Sequence, residues 1–247
     1  MATDKRARAD THEHGHGHGP GHHHRDVSGG WLRPAVFGAM DGLVTNVSLI
    51  AGVSGGNASS QTVVLTGLAG LAAGAFSMAA GEYVSVSSQN ELVQAEVDKE
   101  RLELEHNPAL EQAELAGMLR ARGVSPATAR QAAAEISAQP EKALAVHALE
   151  ELGVNPNELP SPVVAAGASL ASFAVGALIP LIPYLAGVDV LGVALGLAAV
   201  AAIAGGGMVA RLTNRPFWRG ALRQLVLGAV AAGITYLIGI LFHHVTG

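Results

Sequence analysis

Long stretches of this chain are almost free of charge. Between Pro34 and Asn90 the only Asp, Glu, Lys or Arg residues are Asp41 and Glu82, between Leu159 and Ala210 only Asp189 occurs, and from Gln224 to Gly247 there is none. A water-soluble fold must cover itself with polar groups, and an average soluble domain is about 25% charged. Here 14% of 247 residues are charged while 49% are hydrophobic, which also opposes disorder. The net charge of −5, with 15 Lys and Arg in all, supplies no basic field for nucleic acid. The absence of cysteine excludes disulfides, thiolate metal sites and cysteine nucleophiles.

A bilayer-spanning helix needs about 20 mostly apolar residues. The quiet zones hold five such spans, near residues 35–54, 62–85, 162–185, 190–210 and 221–242, broken by Gly55-Gly56-Asn57-Ala58-Ser59-Ser60 and by Gly187-Val188-Asp189. With five spans every basic residue falls on one side of the membrane. Five precede the first span (Lys5, Arg6, Arg8, Arg25, Arg33) and six lie between spans two and three (Lys99, Arg101, Arg120, Arg122, Arg130, Lys142). Four more flank the turn between spans four and five (Arg211, Arg215, Arg219, Arg223). The positive-inside rule makes that side cytoplasmic and puts the C-terminus, with His243 and His244, outside. The first apolar run begins too late for a cleaved secretory signal.

The expected organisation is an all-α membrane protein in four parts. Residues 1–30 form a disordered cytoplasmic tail, in which His12, His14, His16, His18, His22, His23 and His24 could gather metal weakly. Residues 31–85 hold spans one and two, and 161–247 hold spans three to five. Residues 86–160 form a cytoplasmic helical insert carrying thirteen acids between Glu91 and Glu158. Span two has no breaker before Asn107-Pro108, so its helix should project well beyond the bilayer. Three shorter helices follow: one stopped by Gly123, one opened by Ser125-Pro126, and one running from Pro140 to Gly153.

Several polar residues stand where chemistry would need them. Asp41 lies within the first span, where a carboxylate is costly and marks an ion or proton path unless headgroups solvate it. Thr45, Asn46 and Ser48 add oxygen atoms nearby. Met78 and Glu82 share a face of span two, and a thioether beside carboxylates suits a transition metal better than Mg²⁺ or Ca²⁺. In the insert, Glu100/Glu103 and Glu111/Glu114 flank the Asn107-Pro108 bend, and His147, Glu150 and Glu151 offer a third ligand group. A solvated acidic face is the competing reading of these acids.

Phe37-Gly38-Ala39-Met40-Asp41-Gly42-Leu43-Val44-Thr45-Asn46-Val47-Ser48-Leu49 resembles the first-span motif of the vacuolar iron transporter (VIT) family. Ser77-Met78-Ala79-Ala80-Gly81-Glu82-Tyr83-Val84-Ser85-Val86 resembles its second-span motif, and Glu150-Glu151-Leu152-Gly153 is similar to the end of its cytoplasmic domain. The resemblance spans residues 31–245. It implies five transmembrane helices, a homodimer, and export of cytosolic Fe²⁺ in exchange for protons, with Mn²⁺ sometimes carried. It further implies Asp41 and Met78 as ligands of the translocation path, and Glu100, Glu103, Glu111, Glu114 and Glu151 as cytoplasmic ligands. Where some relatives place methionines before the last glutamate, this chain has His147-Ala148, which shifts preference toward Zn²⁺ or Fe²⁺.

The expectation is therefore a secondary transporter and not an enzyme, with no prosthetic group. Its cargo is a divalent metal, Fe²⁺ first, with Mn²⁺ and Zn²⁺ as alternatives, and its partners are lipid, metal ions, protons and a second copy of itself. It would sit in the plasma (inner) membrane of a bacterium or the vacuolar membrane of a eukaryote. The alternatives are a membrane-anchored iron-binding protein or ferroxidase, and a metal sensor. Ferritin-like oxidation chemistry wants two E-x-x-H pairs, and the insert has one, Glu103/His106.

Overall fold

The computed structural model describes residues 30–246, and among them the chain forms nine α-helices and no strand. The histidine tract at 12–24 lies outside the described residues. Five helical segments are long and apolar enough to cross a membrane. The first, α1 (Leu32–Gly55), ends at a glycine pair followed by Asn57 in the left-handed region at φ 58°. Ser59 then caps α2 (Ser60–His106), its hydroxyl accepting from the Thr62 amide at 3.3 Å. At 1.5 Å per residue the 47 residues of α2 extend for about 70 Å, more than twice a bilayer's hydrocarbon core.

Asn107-Pro108 ends α2 and starts α3 (Pro108–Ala121), because proline lacks the N–H that the next turn needs and is tolerated at a helix start. Gly123, at φ 94°, turns the chain toward α4 (Pro126–Ser137), capped by Ser125. Pro140 opens α5 (Pro140–His147), which passes into a single π-helical turn, Ala148–Leu152, closed by left-handed Gly153. Sequence periodicity treats 140–153 as one helix, so the change of pitch at His147 is visible only in three dimensions.

The third membrane segment is likewise discontinuous. It starts as α6 (Pro162–Leu178), tightens to a 3₁₀ turn at Ile179–Leu181, and resumes as α7 (Ile182–Leu185). Pro180 and Pro183 each remove an amide from the ladder, which explains the break within what reads as one span over 162–185. The last two segments, α8 (Leu191–Leu212) and α9 (Phe217–Thr246), form a hairpin through left-handed Asn214.

Side-chain and backbone neighbours fix the helix directions. Gly38 lies against Ser169 and Ser172, and Gly42 against Phe173 and Ala177, so α1 and α6 run the same way. Thr235 donates to the Ser48 carbonyl at 2.7 Å and Gly239 abuts Gly52, so α9 is also parallel to α1. Gly67 faces Leu181 while Gly74 faces Phe173, which makes α2 antiparallel to α6; Gly206 against Gly220 makes α8 antiparallel to α9. The directions therefore alternate along the five segments. The start of α1, the acid-rich segment and the α8–α9 turn all gather at one end of the bundle, and every described Lys and Arg lies there.

At the centre of the bundle, α1 packs on α6, α9, α2 and α8. Leu43, Val47 and Ala51 meet Ala198, Ala202 and Ala232, while Ile50 meets Val63, Leu181, Tyr184 and Ala194. The α1–α6 approach is backbone to backbone. A Cβ on Gly176 would collide with the Ala39 carbonyl, and one on Gly42 with that of Phe173. Gly192 and Gly196 face open space. Gly176→Val should therefore destabilise the detergent-solubilised protein by about 1–3 kcal/mol, the usual cost of overpacking. Gly196→Ala should leave its thermal midpoint unchanged, as read in a melting curve.

Candidate metal centre

Beyond the bundle, α2 keeps an apolar stripe. Val97, with Val93 and Leu104 beside it, packs against Leu144 and Ala148, and this seam turns Glu100 inward. The proline-started α3 folds back so that Leu115 and Ala116 bury against Ala133, with Ile136 and Val146 alongside, and this sets Glu111 on the inner side of its first turn. The third wall is α5 and the start of the π turn, whose buried residues are Ala143, Leu144, His147 and Ala148. His147 is fully buried, and Glu100 and Glu111 are 7% and 4% exposed. Two carboxylates and an imidazole have thus been taken out of water, which is costly unless something compensates them.

The distances show how closely they gather. His147 Nδ1 is 3.0 Å from Glu100 Oε1, 3.1 Å from Glu151 Oε1 and 3.9 Å from Glu111 Oε2. One ring nitrogen carries at most one proton, so it cannot donate to three acceptors. Glu151 has the geometry of a hydrogen bond to it. Glu100 Oε1 has the distance without the direction and is left buried and unpartnered, as is His147 Nε2. Burial pushes the Glu100 carboxyl above the usual glutamate range; Glu151 adds to the rise and His147 opposes it. Glu111 is raised by burial and then by Glu114, again with His147 opposing.

One ligand atom from each of Glu100, Glu111, His147 and Glu151 lies within 4.8 Å of the others. Metal–ligand bonds of about 2.0–2.2 Å would need these atoms to close in by only a few tenths of an ångström, so the group could converge on a divalent cation. Three carboxylates and an imidazole fit Fe²⁺, Mn²⁺ or Zn²⁺ better than a soft monovalent ion. Such a cation would satisfy the orphaned Glu100 oxygen and relieve the repulsion that raises the two carboxyls.

The remaining acids of the segment are arranged differently. In each E-x-x-E pair the first glutamate is buried and the second, Glu103 or Glu114, is exposed. Glu103 lines a small cavity of ≈ 50 Å³ with Glu96, Lys99, Glu100, His147 and Glu151, at the rim of the cluster. Glu150 turns away and pairs with Arg122 at 2.8 Å. The spacing of 147, 150 and 151 gives no sign of that separation, because it depends on the π turn. His106 lies outside the cluster, with Nδ1 2.6 Å from its own helix's Leu102 carbonyl.

The membrane residues are separate from this cluster. Asp41 is half-buried, and Thr45 hydrogen-bonds to its carboxylate. Asn46 is fully buried and donates to the Ala177 carbonyl at 2.5 Å, just before the α6 break, while its Oδ1 faces Gly70 without a hydrogen bond. Met78 packs beside Ala75, Phe173 and Ala177, and Glu82 is half-buried one turn further along. Since Asn46 lies beside Gly70 on an antiparallel helix, Asp41 is level with about residue 75 of α2, and Met78 sits about 4.5 Å further toward the acid-rich end.

Residues 32–240 match the family model described as the VIT family. The chain is 38% identical over 232 residues to a "Vacuolar iron transporter" of Acanthamoeba castellanii, covering 88% of this chain and 82% of that protein. It is 32% identical over 225 residues to "Vacuolar iron transporter 1" of Oryza sativa subsp. japonica, covering 87% and 88%. To "Vacuolar iron transporter homolog 3" of Arabidopsis thaliana it is 34% identical over 209 residues, covering 83% and 80%.

The raised carboxyls have a consequence for stability. Between the ordinary glutamate value, about 4.3, and the raised ones, the folded segment binds more protons than the unfolded chain. Without metal its stability should therefore fall as pH rises through that window. Limited proteolysis of residues 86–160 against pH should show protection on the acid side of the window, and Glu100→Gln/Glu111→Gln should flatten the profile. Millimolar Mn²⁺ should restore protection at neutral pH in the wild type alone.

Proposed function

The chain belongs to the VIT family, and on that footing we propose that it is a secondary transporter that exports cytosolic Fe²⁺ in exchange for protons, with Mn²⁺ as a second cargo. It is a transporter and no enzyme. The observation that carries the reading is the buried Glu100–Glu111–His147–Glu151 cluster at the end of the five-helix bundle where all described basic residues lie. The positive-inside rule makes that end cytoplasmic, which gives a domain at about residues 86–160 from which metal is captured. Glu103 and Glu114 stand at its rim, where they would draw in the hydrated ion and exchange its water for carboxylate oxygen. Its imidazole keeps Zn²⁺ among the ions it would hold.

From there the cargo passes between the helices toward Asp41 and Met78, with Glu82 on the way in and the Asn46 oxygen beyond. Asp41 is the one acid of α1 in an apolar bundle. It can neutralise a cation or hold a proton but not readily both, so protonation from the outer side releases the metal and the proton leaves inward. The reading includes a second copy of the chain, as membership of the family implies. The membrane follows the host: vacuolar, as in the relatives' names, or the plasma membrane of a bacterium. Oxidation chemistry and a purely anchored sensor fit less well, because His106 is tied to its own helix and a sensor has no use for Asp41 within the bilayer.

The reading is tested by Fe²⁺ uptake into proteoliposomes under an imposed pH gradient, with Mn²⁺, Zn²⁺ and Co²⁺ as competitors. Wild-type protein should accelerate uptake only with the gradient, and Asp41→Ala should reduce it at least about tenfold, one charge interaction's worth in a low-dielectric path. Uptake by Asp41→Ala at the wild-type rate would remove Asp41 from the coupling step.

A further inference from the structure

We propose that Arg122 is a positioning residue for the metal centre: by holding Glu150 it keeps that carboxylate out of the ligand set and fixes the π turn that separates it from Glu151. The inference rests on the reading of the cluster as a metal site. Arg122 caps α3, the helix that carries Glu111, and its guanidinium reaches across to Glu150 on the turn that carries Glu151. The Glu150 side chain is 12% exposed and the Arg122 side chain 63%, so the guanidinium reaches from the surface to hold a carboxylate that is largely covered. A single contact thereby joins two of the ligating elements.

The π turn explains why the two neighbouring glutamates part company. An α-helix advances about 100° per residue, whereas a π turn, bonded i to i+5, advances roughly 80°. From His147, α geometry would place Glu150 and Glu151 on either side of the imidazole, about 60° and 40° away. In the π turn Glu151 stays about 40° from His147, on the other side, while Glu150 swings roughly 120° away. That rotation agrees with Glu151 at 3.1 Å from Nδ1 and Glu150 on the far side with Arg122. If the ion pair is lost, nothing holds Glu150 outside, and relaxation of the turn to α geometry brings a fourth carboxylate toward a site already crowded with like charge.

Full-length protein in nanodiscs is titrated with Mn²⁺, and binding is followed by the electron paramagnetic resonance of free and bound ion. Mn²⁺ is chosen because it stands lowest in the divalent affinity series, so the histidine tail competes least. Arg122→Ala should weaken Mn²⁺ binding about tenfold, the lower end of what outer-shell residues contribute, and should alter the bound-ion spectrum. The charge swap Arg122→Glu/Glu150→Arg should recover both affinity and spectrum, and Arg122→Lys, which keeps the charge, should recover most of the affinity. Should Arg122→Ala not fold, the swap and the lysine variant are compared with Arg122→Gln.

Wild-type affinity and spectrum in Arg122→Ala, or an affinity loss with an unchanged spectrum that the swap does not repair, would overturn the positioning role. His147→Ala distinguishes that failure from a failure of the site itself. If it loses Mn²⁺ while Arg122→Ala does not, the site stands and Arg122 is dismissed. If it binds as tightly as wild type, the site reading fails.

Discussion

The interior of a bilayer offers no hydrogen-bond partner, so a chain that crosses it must satisfy its own backbone, and helices do so within one segment. The five-helix bundle follows from that constraint. Apolar side chains face outward where a soluble protein would show charge, as Leu65, Phe76, Val200 and Leu237 do. Cohesion comes from close approach instead of expulsion of water, which is why α1 meets α6 and α9 through glycine and alanine. Where prolines interrupt the third segment, the Asn46 side chain donates to the Ala177 carbonyl just before the break, a side-chain partner at a depth where water is unavailable.

The acid-rich segment faces the opposite problem. Water is at hand, yet the fold withdraws Glu100, Glu111 and His147 from it. Burial and mutual repulsion lift the two carboxyls, and one imidazole nitrogen cannot satisfy three carboxylates. A site of this kind is poised for a divalent ion, because the cation removes both costs together. The long α2 links the two regimes. Its first half packs in the bundle and its last two turns carry Glu100 and Glu103, while Asn90 ties the emerging helix to the Pro160 carbonyl at 2.9 Å. The metal-binding surface is thus attached rigidly to the helix that also bears Met78 and Glu82.

Much of the architecture can be read without coordinates, because hydropathy and breakers act locally. The span ends, the run of α2 to Asn107-Pro108, and the Ser125-Pro126 helix start all depend on residues within a few positions of one another. The candidate site is legible as acids flanking a bend, with His147, Glu150 and Glu151 as a third group, but not which of them turn inward. Which member of each E-x-x-E pair turns inward depends on the seam between Val97 and Leu144, residues far apart in the chain. Glu150 and Glu151 are adjacent in sequence and chemically identical, and no local rule separates them.

The sequence by itself determined the solvent, the number of crossings and the side on which basic residues collect, since these follow from how much charge each stretch carries and where. Only the tertiary structure decided that His147 is the focus of the cluster, that Glu150 belongs to Arg122, and that the third segment is broken beside Asn46. Each of these depends on how distant segments meet, and the π turn that parts Glu150 from Glu151 leaves no mark in composition or periodicity.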